Sequence, residues 1–212
     1  MAAAPASATI LTTPWQSGNF NLATVDGSAT VNFAGFDSSL GTLVGVTIKY
    51  IVNETLTDTI YNFNSNAVTV GNPNGVSATS TITAKGPLGL TTVTQLTTSP
   101  LYAGLVDGNG GSVFSTHAIT NTVNGIASPV NTLNGNPTTL ASYLGASNTV
   151  SIAVNGVGSQ SGSLPPNVLN GYSGSANGVV YLQYLYDIPE PASMALFAVG
   201  LLALTQLRRR KS

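Results

Sequence analysis

The chain has no cysteine, a single histidine, a single tryptophan and, outside its last few residues, almost no positive charge. Without cysteine it forms neither a disulfide nor a thiolate metal site, and an extracellular protein of this composition needs no oxidative folding machinery. With His117 as the single histidine, a site with two histidine ligands within one chain is excluded, and a Ser-His-Asp triad would have to use that residue. Through Asp187 the cations are Lys49 and Lys85 against Asp26, Asp37, Glu54, Asp58, Asp107 and Asp187, a formal charge of −4. Such a stretch has no basic patch to neutralise phosphates, which argues against nucleic acid as a partner.

Catalytic patterns are equally thin. No G-x-S-x-G, H-E-x-x-H or G-x-x-x-x-G-K run occurs. Glu54 and Asp58 share one face if their stretch is a strand, but at strand rise they stand about 13 Å apart, too far for a glycosidase pair. They read as exposed, solubilising charge. The run Asp107-Gly108-Asn109-Gly110-Gly111 offers oxygen ligands but not the EF-hand pattern, and reads as a mobile loop rather than a calcium site. His117, beside Thr116 in a polar stretch, reads as surface or structural. The expectation is no catalytic residue, no metal and no cofactor.

What the sequence does contain is the pattern of an all-β protein. Val44, Val46, Ile48, Tyr50 and Val52 alternate with other residues at the period of a half-buried strand, and similar runs occur at residues 29–36, 57–63, 76–85, 91–96, 149–154 and 179–186. Val, Thr, Ile and Tyr are abundant in them, as a pleated surface prefers. Asn-Gly starts at Asn74, Asn109, Asn124, Asn134, Asn155, Asn170 and Asn177, and Asp-Gly at Asp26 and Asp107, each a candidate tight turn. With no long linker and no fixed-period repeat, the expected body is a single antiparallel β-sandwich over residues 9–187. Val46, Ile48, Tyr50, Ile82, Val150, Ile152, Leu182 and Tyr184 are its expected core. Residues 1–8 open Met-Ala-Ala-Ala-Pro, without the basic and apolar regions of a signal peptide, although Ala6-Ser7-Ala8 resembles a small-x-small cleavage site. They read either as a signal-peptide remnant or as a disordered lead.

The tail, residues 188–212, is of a different kind. Pro189, Glu190 and Pro191 precede an apolar stretch, and Arg208, Arg209, Arg210 and Lys211 supply four of the chain's six cations. A helix over 192–207 would be about 24 Å long. That is short of the ~30 Å hydrocarbon core, yet able to cross if the bilayer thins and the polar flanks reach the interface. The basic cluster acts as a membrane stop signal that stays cytoplasmic and leaves residues 1–188 facing outward. The two prolines deny Glu190 a regular helix and favour the extended form that a processing enzyme needs. A permanent single-pass anchor is the alternative.

Pro-Glu-Pro, a short apolar helix and a terminal Arg-Arg-Arg-Lys, in this order, resemble a PEP-CTERM sorting signal. The resemblance implies a Gram-negative envelope protein that passes through an inner-membrane intermediate, is cut by an embedded exosortase-type enzyme, and ends at the cell surface or in the extracellular matrix. A second resemblance covers the body. The segment from Phe36 and Asp37 through Leu40, Gly41, Thr42 and Leu43, then Tyr143 to Val150 and the closing run Val180 to Tyr186, are similar to the choice-of-anchor E family of bacterial surface domains. These resemblances imply a noncatalytic exported surface or exopolysaccharide-matrix protein. A carbohydrate-binding module is the alternative, with Trp15, Tyr102, Tyr143, Tyr172, Tyr181 and Tyr184 as candidates to stack on sugars and core packing as the competing role for most. Phe36 and Leu40 are expected to bury at a strand end, with Asp37 or Ser38 bonding a nearby backbone N–H and Gly41 opening the turn.

Overall fold

The computed structural model describes residues 9–71, 75–97, 101–160 and 163–188. The two segments expected at 45–52 and 57–63 are one strand, β4 (Thr42–Asn62), 21 residues long where a typical strand has about five or six. Its inward side chains keep the period of two from end to end: Val46, Ile48, Tyr50, Val52, Glu54, Leu56, Asp58, Ile60 and Asn62 are all buried. Near its start the phase slips. Val44 has no partner in the ladder, because Gly45 pairs with Leu185 and Leu43 with Tyr186, and this bulge turns Leu43 inward in place of the expected Val44.

The partner of β4 along its whole length is β12 (Val168–Ile188), antiparallel from Val168↔Asn62 to Asp187↔Thr42. Shorter strands flank this pair. On the far side of β12 lie β1 (Thr9–Thr12) and β2 (Gln16–Leu22), and on the far side of β4 lie β9 (Ser115–Ala127) and β10 (Asn131–Asn134). A second sheet runs in the order β3 (Gly27–Ala34), β11 (Ser147–Gln160), β6 (Val76–Lys85), β7 (Thr91–Thr97). A small two-stranded sheet joins β5 (Val68–Val70) to β8 (Gly104–Val106). The sheets are antiparallel throughout, as the sequence led us to expect.

All eight expected core residues are at most 1% exposed. The main core takes Val46 to Val52 and Val180 to Tyr184 from the large sheet, and Ile82, Ala84, Val150, Ile152 and Val154 from the second. A smaller core of Ile60, Val70, Val76, Val106 and Val168 closes the opposite end. At about 3.3 Å per residue β4 and β12 form a spine on the order of 70 Å long. It runs from a base, where Ile188 lies beside Thr9, to a tip around Asn62 and Val168.

Candidate functional site

The base of the sandwich is where the segments singled out by sequence converge. Phe36 is buried and packs its ring against Tyr184 at 5.6 Å and Tyr186 at 5.7 Å. Its backbone N–H donates to the Tyr143 carbonyl at 2.8 Å. The Tyr184 hydroxyl donates to the Ala34 carbonyl at 2.7 Å and accepts from Asn148 Nδ2 at 2.6 Å, while the Tyr143 hydroxyl donates to the Pro87 carbonyl at 2.7 Å. Burial pushes both phenols up from their ordinary range, so they stay neutral and serve as hydrogen-bonding pins. The three pieces of the body resemblance therefore form one buried cluster.

The turn before β4 works as its residue types suggest, with one correction. Asp37 Oδ1 accepts from the Ser39 N–H at 2.9 Å and caps a single 3-10 turn, Ser38–Leu40; the Ser39 hydroxyl first, and then this N–H, hold its carboxyl below the ordinary range. Gly41 adopts φ 149°, and a Cβ there would stand 2.4 Å from the Asp187 carbonyl oxygen. Leu40, expected inside, is 44% exposed, and Leu43 fills the core instead. The bulge turns Leu43 inward, while Leu40 lies before the strand, at the end of the 3-10 turn, and is not governed by its alternation.

β12 continues to Ile188, whose partner is Thr9 in the fully exposed edge strand β1. The predicted processing residues Pro189, Glu190 and Pro191, the helix over 192–207, the stop signal Arg208 to Lys211, and residues 1–8 lie outside the described residues. Among the described residues no helix is long and apolar enough to cross a membrane.

The carboxylate reading needs a larger correction. Glu54 and Asp58 are not exposed charge: they are 1% and 0% exposed, on the inward face of β4. Alternation alone required this once β4 proved continuous, because residues 54 and 58 share the parity of Val52 and Ile60. Asp26 is the carboxylate with a formed site, accepting from the Tyr172 hydroxyl at 2.7 Å and the Gly156 N–H at 2.9 Å, which hold it below its ordinary range. Sequence reasoning took Asp26 only as a turn residue.

The aromatic candidates separate by environment. Tyr143 and Tyr184 belong to the core. Tyr102 stacks on His117 with ring centres 4.0 Å apart, and Tyr172 is tied to Asp26. Trp15 and Tyr181 meet edge to face at 87° with the Lys49 ammonium 4.5 Å from the Trp15 ring centre, so they do not form a coplanar platform. In the Asp107 loop the centre is held by buried Asn62, whose Nδ2 donates to the Asn66 carbonyl at 3.1 Å and the Asp107 carbonyl at 2.9 Å. An amide thus ties the Asp107 carbonyl, at the start of the run considered for calcium, to the Asn66 carbonyl. Among the described residues no three of His, Asp and Glu gather in a way that could hold a metal ion.

With the end of β12 placed, the tail can be compared with known signals. Residues 187–211 match the PEP-CTERM protein-sorting motif. This PEP-CTERM match marks an exported protein sorted by a C-terminal signal, with passage through a membrane and processing by an exosortase-type enzyme. Its first two residues, Asp187 and Ile188, are the last two of β12. No curated protein matches the chain. Solved structures similar to it include that of infectious bursal disease virus Gt strain, at 12% identity over 94% of this chain and 50% of that one, with a TM-score of 0.16. Particles described as "Infectious Bursal Virus Derived T=1 Particles" match at 14% identity over 91% and 48%, with a TM-score of 0.18. The chain spans about half the length of these solved chains, and at such scores the likeness carries no argument.

Proposed function

We propose that this chain is a noncatalytic surface or exopolysaccharide-matrix protein of the Gram-negative cell envelope, with a choice-of-anchor E type body delivered by its PEP-CTERM tail. The observation that carries this reading is the junction: the closing strand runs directly into the sorting motif, so body and signal share Asp187 and Ile188 with no linker between them. In support of the body assignment, its three segments meet in one cluster at that same end. The tail enters the inner membrane with Arg208 to Lys211 in the cytoplasm, and an exosortase-type enzyme cuts near Pro189, Glu190 and Pro191. Mass spectrometry of the surface protein tests this. Fragments ending near those residues are expected from a strain with an active exosortase, whereas recovery of a C-terminus ending in Ser212 would leave a permanent anchor.

Carbohydrate binding is a second reading, favoured by the outer face of the large sheet. There Thr55, Thr57, Thr120, Thr122, Ser173 and Asn177 form a neutral carpet of hydroxyls and amides, with Thr57 and Thr120 joined at 2.9 Å. Such a face suits an uncharged, hydroxyl-rich polymer better than a polyanion. Retention on purified extracellular polysaccharide, lost in a Thr57→Lys and Thr120→Glu variant that keeps its Tm, is the expected result.

A further inference from the structure

The interior of the sandwich changes chemistry part-way along. From the base, the inward face of β4 is apolar through Val52; it then reads Glu54, Leu56, Asp58, and becomes apolar again at Ile60. Val52 belongs to the main core and Ile60 to the smaller one at the tip. Between them lies only the thin junction of Leu56 and Ala78, with Val25, Val123, Ile126 and Tyr172 packed on it. The two carboxyls bracket that junction.

None of their four oxygens makes a well-formed hydrogen bond among the described residues; the Ser80 hydroxyl stands near Glu54, and the Asn170 amide and Thr59 N–H stand near Asp58, without closing one. The surrounding elements present no cation to either group. β6 contributes Ala78 and Ser80, β11 contributes Gly156 and Gly158, and β12 contributes Asn170, Tyr172, Gly174 and Ala176. The titratable neighbours are Tyr50 two inward positions back along β4, Tyr172 with its partner Asp26, and His117 on β9, which lies two positions from Ile119, the residue opposite Asp58, and stacks on Tyr102. Lys49 packs on Trp15 at the outer face, and Lys85 is exposed. An ionised carboxylate with no partner in such a place is costly, and the group takes up a proton instead.

We propose that Glu54 and Asp58 are a two-proton latch, which holds the tip half of the sandwich closed while both carboxyls are protonated and loosens it when they ionise. Burial pushes both groups up from the ordinary carboxylate range, and the nearby Ser80 hydroxyl and Asn170 amide offset only part of that shift. The sign follows from linkage. Below the unfolded-state values both states are protonated and stability is complete; as pH rises the unfolded chain ionises first, and stability is lost up through the raised folded-state values. The fold is thus firmest in acid and opens from the tip as its surroundings become neutral to alkaline. The strands it would free are β5, β8 and the first half of β9, whose apolar contacts lie in the smaller core.

The test uses the full chain in detergent micelles. Thermal unfolding of the wild type should show a Tm that falls on the order of 5 °C between about pH 4.5 and pH 8.5, with hydrogen exchange rising more in β5 and β8 than in β11. The Glu54→Gln, Asp58→Asn double variant should keep its acid Tm across that range, and His117→Gln should leave the wild-type slope in place. A wild-type Tm that is flat or rises with pH, or a double variant that declines in parallel with it, overturns the latch. Should the double variant not fold, infrared spectroscopy of the wild type decides alone. A protonated-carboxyl band that persists in the folded protein to a higher pH than in the unfolded chain supports the proposal, and a band lost at the same pH in both states overturns it.

Discussion

At the scale of single residues, this protein uses its few polar side chains as pins, and the pins differ in sign of pH response. Tyr184 is buried in the base cluster, accepting from Asn148 and donating to the Ala34 carbonyl. Replacing it with Phe keeps the ring and removes both bonds, while the Ala34 carbonyl still accepts from Gln16 Nε2 at 3.1 Å and Asn148 Nδ2 still reaches the Tyr143 carbonyl at 3.4 Å. Tyr184→Phe should therefore lose about 1 kcal/mol of stability, read as a lower midpoint in urea with unchanged slope. Asp26 works in the opposite sense to the buried pair. Its carboxylate is held below its ordinary range by the Tyr172 hydroxyl and the Gly156 N–H, so its contribution is present above the usual aspartate value and lost as pH falls through the lowered one. A carboxyl-carbon NMR titration should place Asp26 below a free aspartate, and Asp26→Asn should speed exchange of the Gly156 amide; an Asp26 that titrates normally would remove this account.

At the scale of elements, strand existence was legible and strand length was not. The run 76–85 matches β6 residue for residue, because its alternation is bounded by clear breaks on both sides. β4 read as two pieces because its inward positions turn polar at Glu54 and Asp58, and hydrophobic periodicity has no means of recognising an inward carboxylate. Asn-Gly misled in the same way. The pairs at Asn155, Asn170 and Asn177 lie inside β11 and β12, not at turns. Gly156 is required there by the Tyr172 ring, which would sit 2.6 Å from a Cβ. Turn chemistry did hold at Asp26, which takes φ 63° between β2 and β3, and at Asn109 before Gly110 with φ 57°. Of the site, the signature around Phe36 was readable from its residues, whereas the tie between Tyr184 and Asn148 depends on β11 meeting β12 across the core. β1 yields the element-scale prediction. Its four residues are all exposed and pair with residues 185–188 of β12, so it straps the strand end that leads in sequence into the sorting motif. Leu11→Pro should weaken that ladder, cost no more than about 1 kcal/mol of global stability, and speed cleavage in a pulse-chase experiment; an unchanged cleavage rate would show that the strap does not limit access.

At the scale of the whole molecule, the base and the tip have separate duties. The base holds the first and last described residues side by side, Thr9 against Ile188, so whatever tethers the chain at its C-terminus orients the entire spine from that end. The tip, on the order of 70 Å away, carries the exposed aromatics Phe63 and Phe114, which are 39% and 42% accessible and pack against each other at 5.5 Å. Separation of this kind makes sorting and folding independently breakable. In sequence Glu190 lies two residues beyond Ile188, the last residue of β12, and stands between Pro189 and Pro191. If sorting reads this carboxylate and the fold ends with β12, Glu190→Ala leaves the thermal midpoint of the body within about 1 °C of the wild type. At the same time it should reduce the cleaved surface form several-fold and accumulate the uncleaved chain in the inner membrane, seen by fractionation and immunoblotting. A fall in body stability would show that the signal is folded into the sandwich, and normal sorting with an unchanged midpoint would show that the carboxylate between the two prolines is not what the processing enzyme reads.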